Sequence, residues 1–238
     1  MKAMILAAGL GSRLKPWTNN HPKALAVVNG KSLLQRNIEY LQRSGISEVI
    51  VNVHHFADQI ADALTQNKGW GSAITISDET AEVLETGGGL KKAAWYFAGE
   101  TDFVLMNVDI LTDLDLQKPI QQQQALQSLA TLAVSDRETS RYFLFNENNI
   151  LSGWRNVKTG EEKIVRPSTQ LIQKAFSGIH VINSRLLQLI RQSGKFSMVD
   201  LYLDLAKEHT ITCYDHTGSL LIDVGKPESI VKAEKYFL

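Results

Sequence analysis

The chain has 238 residues, 44% of them hydrophobic and 21% charged, which is the composition of a folded globular protein and excludes disordered and fibrous classes. Its 25 Lys and Arg residues balance 25 Asp and Glu residues, so it presents no overall basic field to nucleic acid or to an anionic membrane. The single cysteine, Cys213, excludes an internal disulfide, and no apolar stretch approaches the ~18 residues of a membrane-spanning helix. We therefore expect a cytoplasmic protein that binds neither nucleic acid nor membranes.

The first half of the sequence alternates short apolar runs with segments of helical periodicity, a pattern typical of an α/β sheet. Ser32 is expected to cap the first helix, and the glycines 87–89 are expected to lie in a loop that precedes the third helix. The pattern predicts strands at 2–8, 48–53, 73–77 and 102–107, and helices at 33–43, 57–66 and 90–97.

The second half of the sequence is less regular. The polar run 146–149 separates two alternating segments and predicts a hairpin, and a run of glutamines, 121–124, falls in a predicted helix and indicates no function of its own. Because no linker or repeat interrupts the pattern, we expect one domain with an inserted hairpin region. The remaining predicted strands are 129–135, 142–145, 150–155, 174–182, 211–214 and 220–224, and the helices are 184–192, 199–207 and 225–237.

A loop with two glycines, 9–13, follows the first predicted strand. Glycines let the backbone approach a ligand closely, and successive free N–H groups bind phosphate oxygens. A dinucleotide fingerprint would need a small residue where Leu14 stands, and a P-loop would need a lysine directly after a correctly spaced glycine, so both are excluded. The loop predicts a phosphate site, with a plain turn as the alternative; Lys23, whose direction Pro22 restricts, is a candidate phosphate cation.

A second unusual segment, 84–89, ends in three consecutive glycines. Such a run is costly in chain entropy, which favours a close backbone contact with a ligand over a flexible turn. A helix that begins there would also direct the positive end of its dipole at an anion. The segment therefore predicts a second part of an anion site.

Two aspartates, Asp109 and Asp223, each follow an apolar predicted strand. In open α/β sheets the ligand crevice lies outside the carboxyl ends of the strands, and carboxylates there suit a hard cation such as Mg²⁺. For either residue alone, a turn or helix cap is the alternative. The histidines and the lone cysteine have no zinc-site spacing, and a hydrolase nucleophile motif is absent.

Taken in chain order, these motifs resemble the sugar-1-phosphate nucleotidylyltransferase family. The resemblance implies a three-layer nucleotide-binding α/β fold with a mixed, mostly parallel sheet. It further implies a single nucleotidyltransferase domain over 1–238, with a nucleotide-binding half at 1–112 and a sugar-binding half with the inserted hairpin at 113–238. The matching segments are 6–14, 22–23, 85–89, 107–109, 176–179 and 223–225.

The resemblance also implies roles for individual residues. The catalytic residues would be Arg13, Lys23 and Asp109; the nucleotide-binding residues Ala8, Gly9, Gly11, Ser12, Arg13, Gly87 and Gly88; the sugar-binding residues Glu85, Asn107, Ser177 and Gly178; and the Mg²⁺ ligands Asp109 and Asp223. The middle of the chain lacks the Glu-Lys-Pro motif that often supplies a second phosphate-binding lysine in this family. The β-helical extension of many members is also missing, so we expect a monomer or a simple homodimer.

The implied reaction transfers a nucleoside monophosphate from a nucleoside triphosphate to a sugar-1-phosphate and releases pyrophosphate. The Glu-Thr-Gly-Gly-Gly and Phe-Ser-Gly-Ile segments are most similar to members that use UTP and N-acetylmuramate 1-phosphate. Mannose- and heptose-1-phosphate guanylyltransferases remain alternatives, as does a cytidylyltransferase with a non-sugar acceptor. A nucleotide-binding regulator without catalysis is the alternative from another class.

Overall fold

In the computed structural model, which describes residues 1–238, the chain forms fourteen strands and seven helices. The strands are β1 (Ala3–Leu6), β2 (Val27–Val28), β3 (Lys31–Ser32), β4 (Glu48–Val53), β5 (Ala73–Asp78), β6 (Asp102–Asn107), β7 (Ile110–Thr112), β8 (Ala130–Ser135), β9 (Arg141–Phe145), β10 (Leu151–Asn156), β11 (Glu161–Ile164), β12 (Ile172–Asn183), β13 (Ile211–Asp215) and β14 (Leu221–Asp223). The helices are α1 (Leu33–Arg43), α2 (Ala57–Gln66), α3 (Glu85–Lys92), α4 (Gln117–Leu126), α5 (Arg185–Leu189), α6 (Met198–Leu205) and α7 (Pro227–Glu234).

Ten of the strands form one mixed sheet whose centre is parallel. Strand β1 lies between β4 and β6, and β5 pairs with β4, all in the same direction. Strand β12 runs antiparallel beside β6 and also pairs with β8 and with the hairpin strand β9, so it joins the two halves of the chain. The carboxyl ends of β1, β4 and β6 therefore meet at one edge of the sheet, as the rule for open α/β sheets requires of a ligand crevice.

Helices cover both faces of this sheet, which makes three layers. Successive side chains of a strand point to opposite faces, and accordingly Ile5 belongs to a cluster of 32 buried apolar residues whereas its neighbour Met4 belongs to a second cluster of 25. The first cluster takes in α1 and α2, and the second takes in α5 and α6. The continuous apolar strands of the sequence are thus buried on both faces. No helix of the structure has the length and apolarity to cross a bilayer.

The predicted strands 48–53 and 102–107 and the predicted helix 57–66 have the bounds that the sequence pattern indicates. The expectation of a glycine loop before a helix at 90–97 is wrong: the glycines 87–89 lie inside α3, and a separate short 3-10 turn covers 94–97. The predicted strand at 220–224 exists as β14, but it pairs with β7 outside the main sheet. Strand β11 was not predicted because all of its residues are exposed and it has no apolar face.

A buried polar network fixes helix α4 against the sheet. Gln123, which is fully buried, donates to the carboxylate of Asp102 and to the carbonyl of Ser128, and its own carbonyl accepts from the hydroxyls of Ser128 and Thr131. Within the glutamine run 121–124, Gln123 therefore has a structural role, because its amide bonds to residues of β6 and β8.

Replacing Ser32 by Ala tests the first helix. The Ser32 hydroxyl accepts from the N–H of Gln35, so its loss is expected to lower the free energy of unfolding by about 1 kcal/mol. Ser184→Ala is a matched control, because Ser184 precedes α5 but its side chain makes no capping bond, and we expect a change below about 0.5 kcal/mol. Urea unfolding of both variants measures the difference, and equal effects would contradict the capping role.

Candidate active site

A cleft of about 370 Å³ opens at the edge of the sheet where β1, β4 and β6 end. Leu6, Asn52 and Asn107, which lie at or next to the ends of these three strands, form part of its wall. The full lining comprises Leu6, Ala8, Gly9, Lys23, Asn52, Val83, Glu85, Thr86, Asn107, Asp109 and Ser197. The cleft is therefore built mainly from the first half of the chain, with Ser197 contributed by the segment before α6.

Two buried polar side chains hold the backbone just after the carboxyl end of β1. Asn52 accepts from the N–H groups of Ala7 and Ala8 at 2.7 and 3.3 Å, and its amide nitrogen donates to Glu79 at 2.7 Å. The second carboxylate oxygen of Glu79 accepts from the N–H of Leu84. Both side chains are almost completely buried, so these bonds are shielded from water and fix the start of the glycine loop. Sequence reasoning missed this pair, although a lone Asn in an otherwise apolar strand was a visible signal.

The loop after β1 turns at Gly11, which has a φ of +62° and whose carbonyl accepts from the Thr18 hydroxyl at 3.0 Å. A Cβ at Gly11 would lie 2.9 Å from the Cβ of Lys23, so a side chain is excluded by both conformation and space. Gly11, Ser12 and Arg13 lie outside the lining of the cleft, whereas Ala8 and Gly9 are part of it. The Arg13 guanidinium is half-exposed and lies 4.0 Å from the carboxylate of Asp223.

Lys23 and Asp109 form a direct ion pair in the wall of the cleft. The Nζ atom of Lys23 lies 2.7 Å from Oδ2 of Asp109, and the two side chains are only 14% and 11% exposed. Lys23 follows the extended Pro22 and begins a short 3-10 turn, while Asp109 comes two residues after the end of β6. The predicted lysine and the predicted aspartate are thus brought together from sequence positions 86 residues apart.

The second aspartate, Asp223, is tied to the first through the backbone. The N–H of Val224 donates to the carbonyl of Asp109 at 2.7 Å, and β14 pairs with β7 just beyond Asp109. Burial and the negative charge of Asp109 raise the pKa of the Asp223 carboxyl, although Arg13 and Lys23 lower it in part. A Cβ at Gly225 would lie 2.7 Å from both Asp223 and the Arg13 guanidinium, so a larger residue there would displace these side chains.

These carboxylates fit a Mg²⁺ ion. Both offer hard oxygen ligands, Oδ1 of Asp223 is buried without a hydrogen-bond partner, and mutual repulsion of the two groups is what a cation would relieve. No group of three or more His, Cys, Asp or Glu side chains capable of holding a metal occurs in the structure. Mg²⁺ commonly uses one or two carboxylates and takes its other ligands from substrate phosphates and water, so two aspartates suffice.

The glycines 87–89 have a packing role that the sequence did not indicate. The N–H groups of Gly87 and Gly88 both donate to the carbonyl of Phe196, at 2.9 and 3.2 Å, and a Cβ on Gly87 would lie 2.5 Å from the Phe196 ring. On Gly89 a Cβ would lie 2.6 Å from the carboxylate of Glu79. Gly87 and Gly88 are not among the residues that line the cleft, whereas Glu85 and Thr86 are. The assignment of Gly87 and Gly88 to the nucleotide stays a prediction.

The residues assigned to the sugar side lie at two depths. Asn107 lines the cleft, but Ser177 is fully buried outside its lining and its hydroxyl is 2.7 Å from Nε2 of His216. Gly178 has a φ of +74°, and a Cβ there would lie 3.0 Å from the amide nitrogen of Asn107. Gly178 therefore packs closely against Asn107, while Ser177 is held by His216. His216 was not among the predicted site residues.

A model of the nucleotidyl transferase family matches residues 2–238, and the chain belongs to this family of enzymes. The N-acetylmuramate alpha-1-phosphate uridylyltransferase of Neisseria meningitidis serogroup B is 30% identical over 226 residues, which make up 94% of this chain and 93% of that protein. The protein of the same name from Caulobacter vibrioides is 44% identical over 109 residues, only 45% of each chain. HddC from Yersinia pseudotuberculosis, in its crystal structure complexed with GMP-PN, is 25% identical with a TM-score of 0.78 and covers 100% of this chain and 99% of its own.

The comparisons confirm the predicted family and the predicted nucleotidyltransferase class. They also confirm the fold class, a mixed, mostly parallel sheet between helices, which is the fold of nucleotide-diphospho-sugar transferases. The individual site residues and the division of the chain into two halves stay predictions.

Two glycine variants distinguish a role in packing the protein from a role in letting a ligand approach the backbone. Gly88→Ala is expected to lower the free energy of unfolding by about 1–3 kcal/mol, because its Cβ would lie 2.4 Å from the backbone carbonyl oxygen of Gly194. Gly9→Ala is expected to leave stability unchanged, since nothing lies within 4 Å of its Cβ, and to weaken nucleotide binding instead. Thermal unfolding and nucleotide titration measure the two effects, and the same pattern in both variants would contradict the distinction.

Proposed function

We propose that this nucleotidyltransferase acts on a sugar-1-phosphate: it transfers a nucleoside monophosphate from a nucleoside triphosphate and releases pyrophosphate. The observation that carries the proposal is the Lys23–Asp109 pair, which lies in a cleft beside the glycine loop and is bonded through its backbone to the strand end that bears Asp223. Phosphate recognition needs positive charge and a cation site, and this cleft supplies Lys23 and Asp109 beside the glycine loop.

The reaction is an attack by a phosphate oxygen of the sugar-1-phosphate on the α-phosphorus of the nucleotide, and the bond to pyrophosphate breaks. The second pKa of a phosphate monoester is near ~6, so the attacking oxygen is already ionised at neutral pH and no general base is needed. The task of the enzyme is to bring two anions together and to stabilise the charge of the transition state. Lys23 and Arg13 supply positive charge for this purpose.

Asp109 and Asp223 would hold Mg²⁺. When bound, the ion polarises phosphate oxygens as a Lewis acid and neutralises part of their charge. The backbone bond between Asp109 and Val224 keeps the two segments that bear these carboxylates side by side.

We assign nucleotide binding to the half 1–112 and sugar binding to the half 113–238 with its inserted hairpin. In the first half, Ala8 and Gly9 border the cleft, and the N–H of Ala8 is bonded to Asn52. Glu85 and Asn107, which we assign to the sugar, also line the cleft although they belong to the same half. UTP and N-acetylmuramate 1-phosphate are the substrates we propose, which the full-length similarity to the Neisseria protein supports. GTP is the second candidate, because the HddC structure was determined with GMP-PN.

Pyrophosphate release tests the proposal most directly. We expect release with Mg²⁺ from one of the four nucleoside triphosphates when N-acetylmuramate, mannose or heptose 1-phosphate is added, and none with the nucleotide alone. A chain that binds nucleotide but releases no pyrophosphate with any acceptor would be a regulator and not an enzyme. Release only with an alditol or amino-alcohol phosphate would point to the cytidylyltransferase alternative.

Asp109→Asn tests the metal assignment. The variant keeps the shape of the side chain but loses the negative charge, and we expect turnover to fall at least ~100-fold, a loss typical of one preorganised electrostatic partner. Steady-state rates across a Mg²⁺ titration measure the effect. Near-normal pyrophosphate release would contradict the assignment of Asp109 to the metal.

Lys23→Ala is expected to reduce kcat/KM strongly for both substrates. It also leaves the Asp109 carboxylate without its partner in a site that is only 11% exposed, so a lower melting temperature is expected as well. Lys23→Arg keeps the ion pair and is the control: we expect near-normal melting but incomplete activity, because a planar guanidinium does not reproduce a compact ammonium. Wild-type kcat/KM in Lys23→Ala would exclude a role of this lysine in the reaction.

A further inference from the structure

Five buried side-chain atoms of the protein have no hydrogen-bond partner, and four of them lie where β8, β13 and β14 end. Buried polar atoms are nearly always hydrogen-bonded, so a cluster of exceptions marks the place of a missing water, ion or ligand group. The four atoms are Oγ of Ser135, Nε of Arg137, Nδ1 of His216 and Oδ1 of Asp223.

Backbone contacts bring these groups together. The N–H of His216 donates to the carbonyl of Val134, next to Ser135, and the ring of His216 bonds to Ser177 of β12. The guanidinium of Arg137 donates through Nη2 to the carbonyl of Phe176 at 2.7 Å, directly before Ser177. The positive charge of Arg137 lowers the pKa values of His216 and Asp223 in part, which places it within electrostatic reach of both.

Arg137 is a cation without an anionic partner. No carboxylate oxygen lies within 4.0 Å of its guanidinium, and only one of its five N–H groups donates to a protein atom. The other cations nearby each face a carboxylate: Lys23 is paired with Asp109, Lys174 with both Asp136 and Asp215, and Arg13 lies 4.0 Å from Asp223.

The position of Arg137 relative to the cleft is set by β12. Phe176, which accepts its hydrogen bond, is followed by Ser177 and Gly178, and a Cβ on Gly178 would lie 3.0 Å from the amide nitrogen of Asn107 in the cleft wall. Arg137 is not part of the cleft lining; it is linked to the cleft wall through β12, in the half of the chain that we assign to the sugar.

On the basis of the proposed function, we propose that Arg137 binds an anionic group of the sugar-1-phosphate, with His216 and Ser135 beside it as further hydrogen-bonding groups. A guanidinium presents two parallel N–H groups that match a phosphate or a carboxylate, so either the phosphate or an acidic substituent of the sugar fits its chemistry.

The test measures binding as well as rate. Arg137→Ala is expected to weaken calorimetric binding of the sugar-1-phosphate, and to raise its KM, about 10- to 100-fold, with the KM for the nucleoside triphosphate unchanged within about twofold. Arg137→Lys should restore part of the affinity, because lysine restores the positive charge but not the two parallel N–H groups of a guanidinium. Arg166→Ala is the matched control: Arg166 is also half-buried and donates to backbone carbonyls, those of Ala206 and His209.

The outcomes separate this inference from the proposed function. If the wild type binds the sugar-1-phosphate without turnover and Arg137→Ala does not bind it, the arginine site stands and the proposed reaction fails. If the wild type turns over and Arg137→Ala has unchanged sugar-phosphate KM, or changes both KM values equally, the arginine site is wrong. If no sugar-1-phosphate binds the wild type, both are wrong.

Two acceptors identify the anionic group. N-acetylmuramate 1-phosphate carries a carboxylate that N-acetylglucosamine 1-phosphate lacks. An equal loss of affinity for both acceptors in Arg137→Ala assigns the arginine to the phosphate, and a loss confined to the first assigns it to the carboxylate. Either result supports the site, whereas no loss for either acceptor overturns it.

Discussion

The ion pair between Lys23 and Asp109 is the contact on which the geometry of the cleft depends. Each side chain is largely withdrawn from water, and in such a setting a charge without a partner is strongly unfavourable, so the pair holds both segments in place. Lys23 belongs to the loop after β1 and Asp109 follows β6, while the carbonyl of Asp109 binds the N–H of Val224. A single aspartate therefore holds Lys23 through its carboxylate and the segment that bears Asp223 through its backbone.

The central strands were predictable because each is a short apolar run buried on both faces, a local property that the sequence displays directly. The glycines 87–89 were placed wrongly because their partners are remote: Gly87 and Gly88 bond to Phe196, more than a hundred residues later in the chain. Entropy arguments predicted a close approach of a ligand to these glycines, and that contact stays a prediction. The close neighbours that the structure shows belong to the protein itself, and no local pattern could have revealed them.

The sequence predicted the charged residues of the site because each belongs to a recognisable motif: Lys23, Asp109 and Asp223. The groups that hold the site were harder to find. Asn52 and Glu79 act through hydrogen bonds to backbone N–H groups of other segments, and His216 acts through Ser177. Such bonds depend on tertiary contacts, so the residue types alone do not indicate them. Charge and glycine patterns thus predicted the chemistry of the site, whereas its supporting hydrogen bonds became visible only in the folded structure.

The buried amide of Gln123 fixes how the glutamine run 121–124 is positioned in α4. The four residues are chemically identical, yet only Gln123 bonds to Asp102, Ser128 and Thr131. Each residue of an α-helix turns the chain by about 100°, so one glutamine more or less would rotate the rest of α4 away from these partners. The length of this repeat is therefore constrained by the core, whereas the composition of its exposed members is not.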